Sequence, residues 1–149
     1  MTSKLIVQPS LVELEGRNGS RHEFTGALLG SGSSRSEHHS DHRGESAQRG
    51  TKCSACRWFE VAIYRREPNR HNRGVADYVV HTVGNTTVHG ERRLSRIKYT
   101  RSAFDVLELL TVRPVDRDPF IAAQSARALA QAAQLDEDIR DAYINRAVV

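Results

Sequence analysis

The hydrophobic period of this chain changes near Ser102, and that change limits the folds open to it. Before Ser102, apolar residues recur at every second position. Across Arg57 to Arg66, Phe59, Val61 and Ile63 alternate with Trp58, Glu60, Ala62 and Tyr64, the pattern of a strand with two different faces. After it the period is helical. Ser102 stands as an N-cap before Phe104, Val106, Leu107 and Leu110, and Pro114 closes that helix. Asp118-Pro119 reads as a second helix start, with Pro at the first helical position. Ile121, Ala122, Leu129, Ala132 and Ala133 then follow at helical spacing. Leu135, Ile139, Tyr143 and Ala147 either continue that helix or form a last one capped by Asp136. Strands first and helices afterwards specify an α+β domain: an antiparallel sheet of about four to six strands, with two or three C-terminal helices packed on it.

The remaining strands are placed by turn chemistry. Leu5 to Leu14 reads as a strand in which Pro9 argues for an edge position or a break. Asn18-Gly19 suits a turn with positive φ, and Arg21 to Leu29 returns as the hairpin partner. Val75 to Val83 pairs back on Arg57 to Arg66 across the loop Glu67 to Gly74, and Leu94 to Thr100 adds a further strand. At 149 residues the chain is long enough for one domain with a true core. It divides into an N-terminal hairpin (1–29), a polar loop (30–52), a basic sheet (53–101) and C-terminal helices (102–149). The opening residues lack the apolar run of a signal peptide, and no stretch approaches the ~20 apolar residues of a membrane helix. A cytoplasmic protein without membrane contact is expected.

From Gly30 to Lys52 hydrophobic residues vanish except Ala47. A loop of that length needs disorder or a staple other than a core. His38, His39 and His42 are followed by Cys53-x-x-Cys56, and zinc takes four N or S ligands presented in closely spaced pairs. Cys53 and Cys56 make one half-site, and the histidines, including a set that uses His22, could supply the other. The competing readings are a redox pair and two ordinary thiols beside a solvated His-rich loop. Cys56 leads into a strand rather than a helix N-terminus, which disfavours the redox reading.

Charge is uneven along the chain. Residues 1–50 balance, with six Lys/Arg against six Asp/Glu; residues 51–101 carry eleven against four; residues 102–149 carry five against eight. The basic character therefore sits on the middle strands: Arg65, Arg66, Arg70, Arg73, Arg92, Arg93, Arg96, Lys98 and Arg101. Such a set can neutralise several phosphates and give salt-sensitive, sequence-independent affinity, with Trp58 and Tyr64 as stacking rings. The competing reading is the solvated side of a sheet.

Other chemistry finds little support. There is no nucleophile elbow, phosphate-binding Gly-rich loop or HExxH motif. A helix-turn-helix over Leu129 to Asp141 would present Asp136, Glu137, Asp138 and Asp141 to DNA phosphates, which repels rather than binds.

Phe24-Thr25-Gly26-Ala27-Leu28-Leu29, Ile63-Tyr64-Arg65, Tyr78-Val79-Val80-His81, the Cys53-to-Trp58 "CSACRW" and the runs "ARALAQAA" and "RDAYINRAV" resemble a family of small uncharacterised proteins of actinobacteria and their phages. A fainter similarity is to EXLDI-type proteins, whose basic N-terminal arm this sequence lacks. The resemblance implies no activity or catalytic residue, only a setting as an intracellular accessory protein, often of a mobile element. The expectation is a non-catalytic binding protein. Its partners are nucleic acid or a nucleic-acid-handling protein, with a structural zinc in the His/Cys loop. The alternative is a protein-interaction module, an inhibitor or a homo-oligomer, acting through the C-terminal helices. An enzyme ranks third.

Overall fold

The computed structural model describes residues 8–35 and 57–146. Five antiparallel strands form a meander in chain order: β1 (Ser10–Glu15), β2 (Arg21–Ser33), β3 (Arg57–Arg66), β4 (Asp77–Thr86) and β5 (Leu94–Thr100). Helix α1 (Ala103–Leu110) leads through a small hairpin, β6 (Thr111–Val112) with β7 (Phe120–Ile121), to α2 (Ala123–Leu135) and α3 (Glu137–Arg146). The expected α+β architecture is present, with β1 at a sheet edge, one of the two readings of Pro9. Among the described residues no helix is long and apolar enough to cross a membrane.

One face of the sheet carries the helices. Register sets Ile63 opposite Val80 and Val61 opposite Thr82, so Val61, Ile63, Tyr78 and Val80 share that face. Together with Leu29 they pack on Val106, Leu107, Leu110, Ala128, Leu129, Ala132 and Ile139 as one buried cluster. The other face is also partly dry. The sheet curls, and Phe24, Val79 and Val83 are buried inside the curl. There the Phe24 ring meets Tyr64 edge-on at 5.5 Å and Tyr99 at 6.4 Å. A bulge between Leu28 and Gly30 shifts the β2–β3 register, and bulges bend and further twist a strand.

Three expectations need correction. Gly30 does not begin a loop, because β2 continues to Ser33. The glycines there are a docking surface: a Cβ on Gly30 would stand 2.1 Å from the Ala128 carbonyl oxygen, and one on Gly32 would stand 1.9 Å from that of Gln124. The backbone of α2 thus lies directly on the strand, and Gln131 Oε1 accepts from the Ser31 amide at 3.0 Å. Asp118-Pro119 does not start a helix either. Phe120 and Ile121 pair with Val112 and Thr111, and α2 begins after Ala122. Phe104, expected on the buried face of α1, is 64% exposed, while Ser102 does cap that helix by accepting from the Asp105 amide at 3.1 Å.

Asp136 ends α2 and caps α3, as one of the two sequence readings had it. Its Oδ1 accepts from the Ile139 amide at 3.0 Å. The carboxylate is 2% exposed and is satisfied by the Tyr78 hydroxyl and by Arg65 Nη1 at 3.4 Å.

Candidate nucleic-acid interface

The middle-strand cations do not form one continuous patch. They separate into a fixed group on β3 and two clusters at opposite ends of β5. Strand alternation decides the first group. Arg65 falls on the helix side of β3 and reaches Asp136. Arg66 falls on the inner side, opposite Asp77 in the register, and meets it with two bonds of 2.7 and 2.6 Å. Both members of that pair are largely buried, at 13% and 9% side-chain exposure. Arg65 and Arg66 are therefore tied to carboxylates instead of standing free for phosphates.

The stronger cationic site lies where the β1–β2 turn meets the start of β5. Asn18 and Gly19 adopt positive φ, 60° and 76°, and fold the hairpin tip over β5. Ser95 Oγ donates to the Glu15 carbonyl at 2.6 Å. With the serine proton committed there, the 2.7 Å contact between Ser95 and His81 Nε2 has the imidazole as donor. With a proton on Nε2, His81 cannot take the serine proton, so the pair is a brace between strands. Burial lowers the His81 pKa, and the nearby Arg93 charge lowers it further; a hydrogen bond to the Glu15 backbone and then the Glu60 charge oppose them, and His22 adds to the lowering.

Around this brace Arg17, Arg92, Arg93 and Arg96 line a concavity of about 620 Å³ with Glu15. Four arginines and one glutamate thus line the same concavity. All four residues are exposed, and among the described residues none forms an ion pair. Arg57 is different: it is bonded to Glu91, whose carboxyl the Arg57 contact, followed by Thr86, holds down to about 2. Arg17 was absent from the sequence-based set. It lies some seventy-five residues before Arg92, and only the fold of the turn brings it in.

Along β5, Arg96 and Lys98 are exposed on the same side. At its far end Arg101 and Arg73 line a second concavity of about 410 Å³ with Arg66, Asp77 and Tyr99. Arg70 is exposed in the β3–β4 connection. The two proposed stacking rings are already engaged. Arg35 lies over the Trp58 ring at 4.8 Å, and Tyr64 is packed edge-on against Phe24. Tyr99 is also engaged, with Arg66 over its ring at 4.7 Å and its hydroxyl 3.2 Å from His22 Nδ1, but at 42% exposure it is the most accessible of the three rings.

His38, His39, His42, Cys53 and Cys56 lie outside the described residues. Among the described residues no cluster of three or more His, Cys, Asp or Glu could hold a metal ion. No family model matches the chain, and no curated protein or solved structure does. A functional reading therefore rests on the chain's own residues.

Proposed function

We propose that this chain is a non-catalytic intracellular accessory protein that grips the phosphate backbone of nucleic acid along β5. The observation that carries the reading is the convergence of Arg17, Arg92, Arg93 and Arg96 on one concavity with a single carboxylate, Glu15. Like charges held together without ion-pair partners are relieved when an anion enters, and a row of such groups recruits a polyanion. Arg96 and Lys98 extend the row along the strand. Lysine and arginine on an edge strand also discourage pairing with other sheets. That role explains Arg96 and Lys98, but not the gathering of Arg17 from a separate turn. In the same reading, Cys53 and Cys56 with histidines from His38, His39 and His42 hold a structural zinc.

The test is a fluorescence-anisotropy titration with mixed-sequence DNA and RNA. Contact with about four phosphates predicts a loss of about a hundredfold in affinity for duplex between about 50 and 200 mM salt. Absence of binding at low salt would overturn the reading.

A second reading, a protein-interaction module acting through the helices, has one observation in its favour. A trough of about 820 Å³ runs between α1, the β6–β7 hairpin and α3, with Phe104 and Phe120 in its walls. That reading predicts association that survives high salt, measured by sedimentation.

A further inference from the structure

We propose that the ligand is a single strand rather than a duplex, and that one of its nucleotides enters the concavity beside Tyr99. The inference rests on the nucleic-acid reading above and specifies the form of nucleic acid.

The chemistry of this second concavity is mixed. Its lining combines Val75, Ala76 and Tyr99 with the cationic residues Arg73 and Arg101. Val75 is 66% exposed, and among the described residues Arg73 and Arg101 form no ion pair. An apolar and aromatic wall for a base, together with cations for its phosphate, is the combination that single-strand binding uses.

The wall is rigid before any ligand arrives. Arg66 is held by its two bonds to Asp77 and lies over the Tyr99 ring at 4.7 Å. Asp77 Oδ1 also accepts from Asn72 Nδ2 at 3.3 Å, and that amide donates to the Glu67 carbonyl at 2.9 Å. Asp77 lines the recess, but its charge is paired with Arg66 within the protein. Groups fixed in advance lose less freedom on binding.

The two concavities sit at opposite ends of β5. At ~3.4 Å per residue the strand separates them by roughly 20 Å; Arg96 and Lys98 are exposed on the side of this edge strand opposite to Tyr99, so a bound strand crosses the sheet edge to reach the recess. A single strand can lay its phosphates along that row and turn one unstacked base into the recess. A duplex can touch the same cations, but its bases are stacked inside. To fill the recess it must flip one out, which costs unpairing and unstacking.

The experiment compares a labelled single strand of about twelve nucleotides, as DNA and as RNA, with the corresponding duplexes at physiological salt. The single strand is expected to bind at least about tenfold more tightly, the order that one base stacked on an aromatic side chain contributes. Val75→Gln, at an exposed position and without a change of charge, is expected to remove most of that preference while leaving duplex affinity within about twofold, and Arg101→Ala is expected to weaken single-strand binding more than duplex binding. A preference confined to DNA or to RNA supports the proposal and names the sugar. Duplex binding as tight as single-strand binding overturns it and leaves the phosphate-gripping reading standing. A single-strand preference untouched by both substitutions also overturns it, because the base then lies elsewhere. No binding of any oligonucleotide at low salt removes both.

Discussion

The hydroxyl of Tyr78 lies 3.0 Å from each carboxylate oxygen of Asp136, tying the middle of the sheet to the break between α2 and α3. Burial, followed by the Asp136 charge, raises the Tyr78 pKa, so the phenol remains a proton donor across the ordinary pH range. Asp136 is nearly inaccessible, so each of its partners matters in proportion to how well water could replace it. Tyr78→Phe is expected to cost about 1–2 kcal/mol, one buried hydrogen bond to a charged acceptor. Asp136→Ala loses the α3 cap as well and leaves Tyr78 unpaired, for about 3 kcal/mol in total. Arg65 is half exposed, so Arg65→Ala costs about 1 kcal/mol or less. Urea denaturation measures the order Asp136, Tyr78, Arg65; a costlier Arg65 variant would contradict this account.

Gly30 and Gly32 are expected to be among the least replaceable residues of the sheet. In each case the atom a new methyl would strike belongs to the backbone of α2, which cannot rotate away as a side chain can. Gly30→Ala or Gly32→Ala should destabilise by about 3 kcal/mol and lower the melting temperature by about 6–12 °C. Gly74→Ala is a useful contrast. Nothing lies within 4 Å of its would-be Cβ, so its only penalty is the backbone strain of φ +75°. Equal melting temperatures for Gly30→Ala and the wild type would show that α2 does not rest on this strand.

His81 makes stability pH-dependent in a defined direction. Its pKa in the folded protein is lowered, mainly by burial and then by Arg93, so below the ordinary histidine value of about 6.5 the unfolded chain binds the extra proton first. The contribution of neutral His81 is therefore fully present above about pH 6.5 and is lost as pH falls from there towards the folded-state value. His81→Gln should flatten the wild-type stability profile between about pH 5 and 7. Superimposable profiles from chemical denaturation across that range would mean that His81 is not held neutral.

The segment before β3 carries a separate prediction. Untagged protein should hold about one equivalent of zinc, and chelation should lower its melting temperature, because metal affinity adds directly to folding stability. Cys53→Ser with Cys56→Ser should abolish both effects. Metal-free protein with an unchanged melting curve would end this reading.

Local patterns were readable where they depend on near neighbours. The alternation of Val61 and Ile63, the Ser102 cap and the option of an Asp136 cap follow from residues a few positions apart, and each matches the structure. Patterns that depend on distant neighbours were not readable. Gly30-Ser31-Gly32-Ser33 has the composition of a loop, and only the arrival of α2, about a hundred residues later, makes glycine a requirement within a strand. Asp118-Pro119 carries the local signals of a helix start, but pairing with Thr111 and Val112 extends the chain as far as Ile121. For the candidate interface, composition located the basic strands but could not tell spent cations from free ones. Arg66 faces Asp77 only because the β3–β4 register places them opposite each other, and Arg17 joins Arg92, Arg93 and Arg96 only because the hairpin tip folds over β5.

The most direct test of the phosphate-gripping reading is the slope of log affinity against log salt concentration, for wild-type protein and for Arg93→Ala with Arg96→Ala. These two residues line the concavity and are exposed, so the double variant should fold normally. Each lost phosphate contact should make the slope shallower by about 0.7 for a single strand. The account predicts weaker binding at low salt and a slope shallower by about 1.4, two contacts' worth. An affinity and slope identical to the wild type, in a normally folded double variant, would contradict it.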